Sequence, residues 1–275
     1  MIRFPNSLRR HKHIVRMYIG LISSMFQFNA EKIFSNQFAR LFLTFEEDRG
    51  RGRRPVLTIK TMQTNQTNLI EPITSKLMEF NDRRVASVAS SATRTNGLKA
   101  TMFLTTCERF SPILDCLGMA FKPAKADVNG NIERIQKASE ASDDDDIYEV
   151  VREEKKRNES NDSRSTAKAL LWLKRFLEFV IELLREITDD SEKELRDAAV
   201  SAYERTLKPF HGWVSAAAFS VVLKFPPTRA SFVASIGGED VVKTSAVVLV
   251  EKFSPLLEEI DSFLTEEGLN DPTKV

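Results

Sequence analysis

The chain has 275 residues, enough for one large domain or for a domain with an extension. Hydrophobic residues make up 42% of it and charged ones 29%, and 40 basic against 39 acidic side chains leave a net charge of +1. That balance suits a globular chain with a core and excludes a global electrostatic pull toward nucleic acid or anionic membranes, so any such attraction must be local.

In chain order, the first feature is an asymmetry. No acidic residue precedes Glu31, while Arg3, Arg9, Arg10, Lys12 and Arg16 are basic. An acid-poor, Arg-rich start fits a mitochondrial presequence, and more simply a basic leader or a misassigned start codon. The apolar stretch at residues 14–28 is interrupted by Arg16, Ser23, Ser24 and Gln27, so no membrane-spanning helix is expected there. Residues 49–54 (RGRGRR) lack the interleaved aromatics of a nucleic-acid site and read as a solvated tether. Met62 offers an alternative start. Residues 1–64 are thus read as a basic, poorly ordered extension and 65–275 as the folded domain.

Helical patterns dominate that domain. The spacing predicts a short amphipathic helix over 69–80, then a Ser/Thr/Arg/Asn-rich loop over 81–99. A helix over 101–117 follows, with a break at Pro112, then another over 126–141. The Asp143–Asp146 run suits the start of a third helix, where carboxylates meet the positive end of the dipole. Residues 166–187 carry apolar side chains on much more than one stripe and should run through the centre of a bundle. Helices over 192–207 and up to Leu223 come next, and Phe225-Pro226-Pro227 ends the second of them. Val241–Val250 is β-branched enough for a strand but has no partner, so the last segment is read as a helix over 243–264. The fold class is all-α.

Within this frame a few residues stand out. Asp127, Asn131 and Arg134 recur at i, i+4 and i+7, which puts them on one helix face beside the apolar Val128, Ile132 and Ile135. An acceptor, an amide and a guanidinium in a row can bind hydroxyls and an amide together, or can simply form a solvated face with an Asp–Arg pair. Trp172 shares a face with Phe176, Phe179 and Leu183, which is either core or a flat platform for a sugar ring. His211 shares a helical face with Ser215, Phe219 and Val222. Trp213, about 200° further round, should point the other way, toward a membrane interface.

Catalysis has little support. Of three histidines, His11 and His13 lie in the leader, and no catalytic, metal or nucleotide motif accompanies His211. No catalytic residue, metal or cofactor is therefore assigned. Two cysteines, Cys107 and Cys116, match no metal spacing and are too few for a disulfide framework, which favours a reducing compartment.

Four strings carry a family resemblance: residues 111–118 (SPILDCLG), 125–135 (KADVNGNIERI), 169–175 (ALLWLKR) and 202–214 (AYERTLKPFHGWV). Together and in this order they resemble the glycolipid transfer protein family, in its glycolipid-binding rather than its ceramide-phosphate branch. The resemblance implies a two-layer helical fold enclosing an apolar pocket, and non-enzymatic transfer of a glycosphingolipid between membranes by a cytoplasmic, peripheral protein. Asp127 and Asn131, with Arg134, would bind the first sugar and the ceramide amide. Trp172 would stack under the sugar and His211 would bond the acyl carbonyl. Phe176, Phe179, Phe219 and Leu223 would line or adjoin the chain pocket. Trp213, with Lys208, Lys224 and Arg229, would touch the bilayer.

Three departures from the family pattern stand beside this. Arg134 replaces the usual lysine, Pro209 precedes His211 where helix-compatible residues are usual, and Thr273 replaces an aromatic near the end. A ceramide-1-phosphate carrier, and a lipid sensor or interaction protein of the same fold, are the alternatives. Tryptophan at 172 argues against the former, since a phosphate calls for cationic forks.

Overall fold

The computed structural model describes residues 68–90, 97–142, 145–160, 162–224 and 226–275. The basic leader, the RGRGRR segment and Met62 lie outside the described residues. Among those described there is no strand, only an isolated bridge between Lys99 and Asp146. The helices are α1 (Ile70–Ser90), α2 (Ala100–Cys116), α3 (Lys122–Glu140), α4 (Ile147–Lys156), α5 (Thr166–Asp189), α6 (Leu195–Thr206), α7 (Trp213–Val222), α8 (Arg229–Ile236) and α9 (Val247–Glu266). Two 3₁₀ turns, Met119–Phe121 and Lys208–Phe210, precede α3 and α7. One helical turn, Glu239–Val241, and a π-turn, Val242–Ala246, lead without a break into α9. The β-branched run near Val241–Val250 is therefore helical.

α5 is the centre, as its apolar breadth predicts. It packs against α3, α4, α6 and α9, while α2 bridges α1 and α3. Leu170, Leu173, Leu177, Val180, Leu183 and Leu184 are fully buried along it. Its start is fixed twice over. The Ser165 side chain accepts from the Lys168 amide, and the Glu154 carboxylate of α4 accepts from the Thr166 and Ala167 amides at 2.8 and 3.2 Å. An anion there also meets the positive end of the helix dipole. Asp146 caps α4 in the same way, accepting from the Leu98 and Tyr148 amides, both at 3.0 Å.

Two expectations are corrected. α1 runs ten residues beyond Phe80, and in that added part Arg84 reaches across to the Glu259 carboxylate of α9 at 2.6 Å and lies over the Phe80 ring. α2 continues through Pro112. A proline frees the carbonyl four residues back. Here that residue is Glu108, which is exposed, so water can satisfy the freed group and the helix survives. Pro255 is tolerated inside α9 by the same logic, since the residue four back, Glu251, is exposed too.

Candidate functional site

Trp172 falls in the second turn of α5. Leu170, Leu171 and Leu173 around it are buried, whereas Trp172 itself is half-buried and sits at the rim of the core. His211 arrives from another part of the chain. α6 ends at Thr206, three residues before Pro209, whose missing amide hydrogen disfavours a further turn of helix there. The chain instead makes the 3₁₀ turn, gives His211 an extended backbone, and starts α7 at Trp213 with Gly212 before it. The single helix expected to carry His211 with Ser215, Phe219 and Val222 is thus broken just before α7. His211 still turns inward and Trp213 outward, with Trp213 76% exposed, but the break produces this rather than helical periodicity.

The rings of Trp172 and His211 lie 6.2 Å apart at 27°, close to parallel. Nδ1 of His211 is 3.2 Å from the Tyr203 hydroxyl. Burial, helped by the nearby Arg175 cation, pulls the imidazole down to about 4, so it is neutral at pH 7. Burial pushes the Tyr203 hydroxyl up to about 12, so it keeps its proton. The pair is a neutral hydrogen-bonding unit and not a poised acid–base couple.

The polar stripe lies on α3. Asn131 is buried, and its Oδ1 accepts from the Arg134 guanidinium at 3.1 Å. The Asn131 amide and the Arg134 cation both favour the charged form of the Asp127 carboxyl. Asp127 has exposed surface, yet the protein crowds its carboxyl enough for burial to raise its pKa, against the pull of Arg134 and Asn131. Among the described residues no hydrogen bond joins the stripe to Trp172 or His211, although α3 packs on α5.

Beneath them is an aromatic cluster. Phe219 of α7 stacks on Tyr203 at 4.3 Å and meets Phe179 and Phe121 edge-on at 5.8 and 5.7 Å. Phe176 and Leu223 are buried in the same apolar core. α7 is unusual in that none of its ten residues is buried. Trp213 stands out from its start, and Met119, 65% exposed, stands out from the turn whose Phe121 touches Phe219. Lys224 is exposed, and Lys208 is exposed and paired with Glu204 at 2.6 Å. Arg229 departs from its expected place at a membrane. Its side chain is 11% exposed, paired with Glu239, and donates to the Ile187 carbonyl, so little of its charge is offered outward.

Sequence reasoning missed Arg175, Tyr203, Phe210, Phe121 and Met119. For Arg175 the only sequence signal was its place inside the ALLWLKR string, three residues after Trp172. Tyr203 gave none, since its reach to His211 depends on the turn at Pro209.

The glycolipid transfer protein family profile matches residues 98–238, just over half of the chain and all of this site. The chain belongs to the glycolipid transfer protein family. Within the family it is 32% identical over 172 residues to glycolipid transfer protein 1 of Arabidopsis thaliana, covering 62% of this chain and 85% of that one. A pleckstrin homology domain-containing family A member 8 of Danio rerio is 35% identical over 144 residues, which span 51% of this chain but 26% of that longer protein. Among solved structures, FAPP2, described as selecting simple glycosphingolipids with this fold, is similar with a TM-score of 0.62 and 26% identity, over 67% of this chain and 93% of that one. An Arabidopsis ACD11 variant bound to a ceramide-1-phosphate is similar with a TM-score of 0.66 at 22% identity, over 74% and 98% of the two chains, and shows the shared fold. The family is one of lipid transfer proteins.

Proposed function

We propose that this chain binds a glycosphingolipid and carries it between membranes without altering it chemically. The observation that carries this is the half-exposed Trp172 ring, parallel to a neutral His211 and set on the helix that packs against the Asp127–Asn131–Arg134 stripe. A sugar ring packs its axial C–H bonds on such a π face while its hydroxyls find the Asp127 carboxylate and the Asn131 amide. In the tautomer with Nε2 protonated, Tyr203 donates to Nδ1 and leaves Nε2 as a donor for the acyl carbonyl. Each buried methylene contributes about 0.8 kcal/mol, so the ceramide chains supply affinity and the polar groups selectivity.

To admit those chains the Phe121–Phe179–Phe219 cluster must part. α7 is the element that would move, since none of its residues is fully buried and it meets the core through the partly buried Phe219 and Val222. Trp213 and Met119 would enter the interface of a bilayer, with Lys224 beside anionic headgroups. The reading is supported by the identity with a plant glycolipid transfer protein and by the FAPP2 likeness. A ceramide-1-phosphate carrier is the second reading. The fork of Arg134 favours it, since a guanidinium suits a phosphate as well as a hydroxyl.

Transfer of a fluorescent glycosphingolipid between vesicles tests the proposal, with Trp172→Ala as control. Transfer by the wild-type chain, lost in a folded Trp172→Ala variant, with the lipid recovered intact, is expected. Tight binding without exchange would make the protein a sensor, hydrolysed lipid an enzyme, and undiminished transfer by Trp172→Ala would remove the sugar platform.

A further inference from the structure

Arg175 is the largest fully buried side chain of the molecule among the described residues, 1% exposed, one turn after Trp172. Its guanidinium lies over the Phe210 ring at 3.5 Å and over the Trp172 ring at 4.9 Å. One terminal nitrogen donates to the backbone carbonyl of Asp271 at 2.6 Å, and Nε has no hydrogen-bond partner. The nearest acidic side chains, Asp271, Glu178 and Asp261, act on it from beyond ion-pair distance, and all three are engaged elsewhere, Asp271 by Lys168 and both Glu178 and Asp261 by Lys174. Burial pulls its pKa down to about 10, so it remains a cation.

Burying a cation without an ionic partner is costly, and a well-packed apolar side chain of similar volume would serve stability as well or better. The contacts, in contrast, are specific. Arg175 joins three stretches distant in sequence: α5 through Trp172, the turn before His211 through Phe210, and the segment after α9 through Asp271. The flat guanidinium can lie against two rings and still donate in its own plane, which an ammonium cannot do.

We propose that Arg175 is the positioning residue of the headgroup site: by its contacts with Phe210, Trp172 and the Asp271 carbonyl it fixes the Trp172 and His211 rings in one relation, and so sets the preference for a sugar-bearing headgroup. The second half of this rests on the glycolipid reading; the first half does not.

Arg175→Met, Arg175→Lys and Phe210→Leu test it, first in lipid-free protein. The His211 titration is followed by NMR, and Trp172 emission in a Trp213→Phe background. In Arg175→Met we expect the His211 titration to move upward, because a repelling cation is gone, and Trp172 emission to shift as its ring loosens. Arg175→Lys should leave the His211 titration near wild type yet fail to restore the Trp172 emission. The ratio of glycosphingolipid to unglycosylated ceramide binding should fall at least about tenfold in both, the scale at which a misheld group costs binding. If Arg175→Met does not fold, Phe210→Leu should show the Trp172 shift and the loss of preference with the cation still present. Folded variants with unchanged titration, emission and preference would reduce Arg175 to a structural residue. A wild-type chain that binds no glycosphingolipid would overturn the proposed function while leaving the lipid-free readouts to decide the role of Arg175.

Discussion

At His211, burial and the Arg175 guanidinium oppose protonation together, so the ring stays neutral in the folded chain down to about pH 4. An unfolded histidine takes up its proton near pH 6.5. Between those values the unfolded chain binds the extra proton, so stability falls as the pH drops through that window and is insensitive to this group above it. Asp271, whose carboxyl is held well below the usual range by Lys168 and Thr273, acts in the same direction at still lower pH. Urea unfolding at pH 7 and at pH 4.5 should show the loss, and His211→Gln should reduce the difference between the two. An equal difference in wild type and His211→Gln would place the acid sensitivity elsewhere. The neutral ring also explains why His211 is better suited to bonding a carbonyl than to proton transfer.

α3 shows an element bearing the cost of its own site. Gly130 sits between Asn129 and Asn131 in mid-helix, and a Cβ added there would meet nothing within 4 Å. Gly130→Ala should therefore stabilise the protein by about 1 kcal/mol, the helix-propensity difference, measured by chemical denaturation; a loss would mean that the glycine has a packing role. At this scale the sequence was legible where periodicity was strong. α5 came out within two residues of its expected end, since side chains as dense as Leu170 to Leu184 leave a central helix as the only economical placement. It was illegible where a distant partner decided. α1 exceeded its expected length, and its added part holds Arg84, whose partner Glu259 is 175 residues away. Pro112 failed to end α2, since the outcome hinged on the exposure of Glu108, which composition does not reveal.

Across the whole molecule, the proposed site is a junction. α3 brings Asp127 and Asn131, α5 brings Trp172 and Arg175, α6 brings Tyr203, and the turn at Pro209 brings His211. The sequence order of these residues was enough to point to a headgroup site by resemblance. Their physical coupling was not readable, because the contacts of Tyr203 with His211, of Arg175 with Phe210 and of Phe219 with four other rings join stretches apart in sequence. The same limit applied to Arg229, which the resemblance placed with Trp213 at a membrane but which is paired with Glu239 and bonded to the Ile187 carbonyl. Labour in the proposed function divides along the same lines: a rigid α5 holds the headgroup platform, and the lightly held α7 opens the way for the chains.

The central claim is that a sugar-bearing sphingolipid is the cargo. It is tested most directly by incubating the protein with a total sphingolipid extract, re-isolating it, and identifying the bound lipid by mass spectrometry. We expect glycosylated sphingolipids, enriched over ceramide and ceramide-1-phosphate, and lost in Trp172→Ala. Bound ceramide-1-phosphate in preference to the glycosylated species, or no sphingolipid at all, would contradict it.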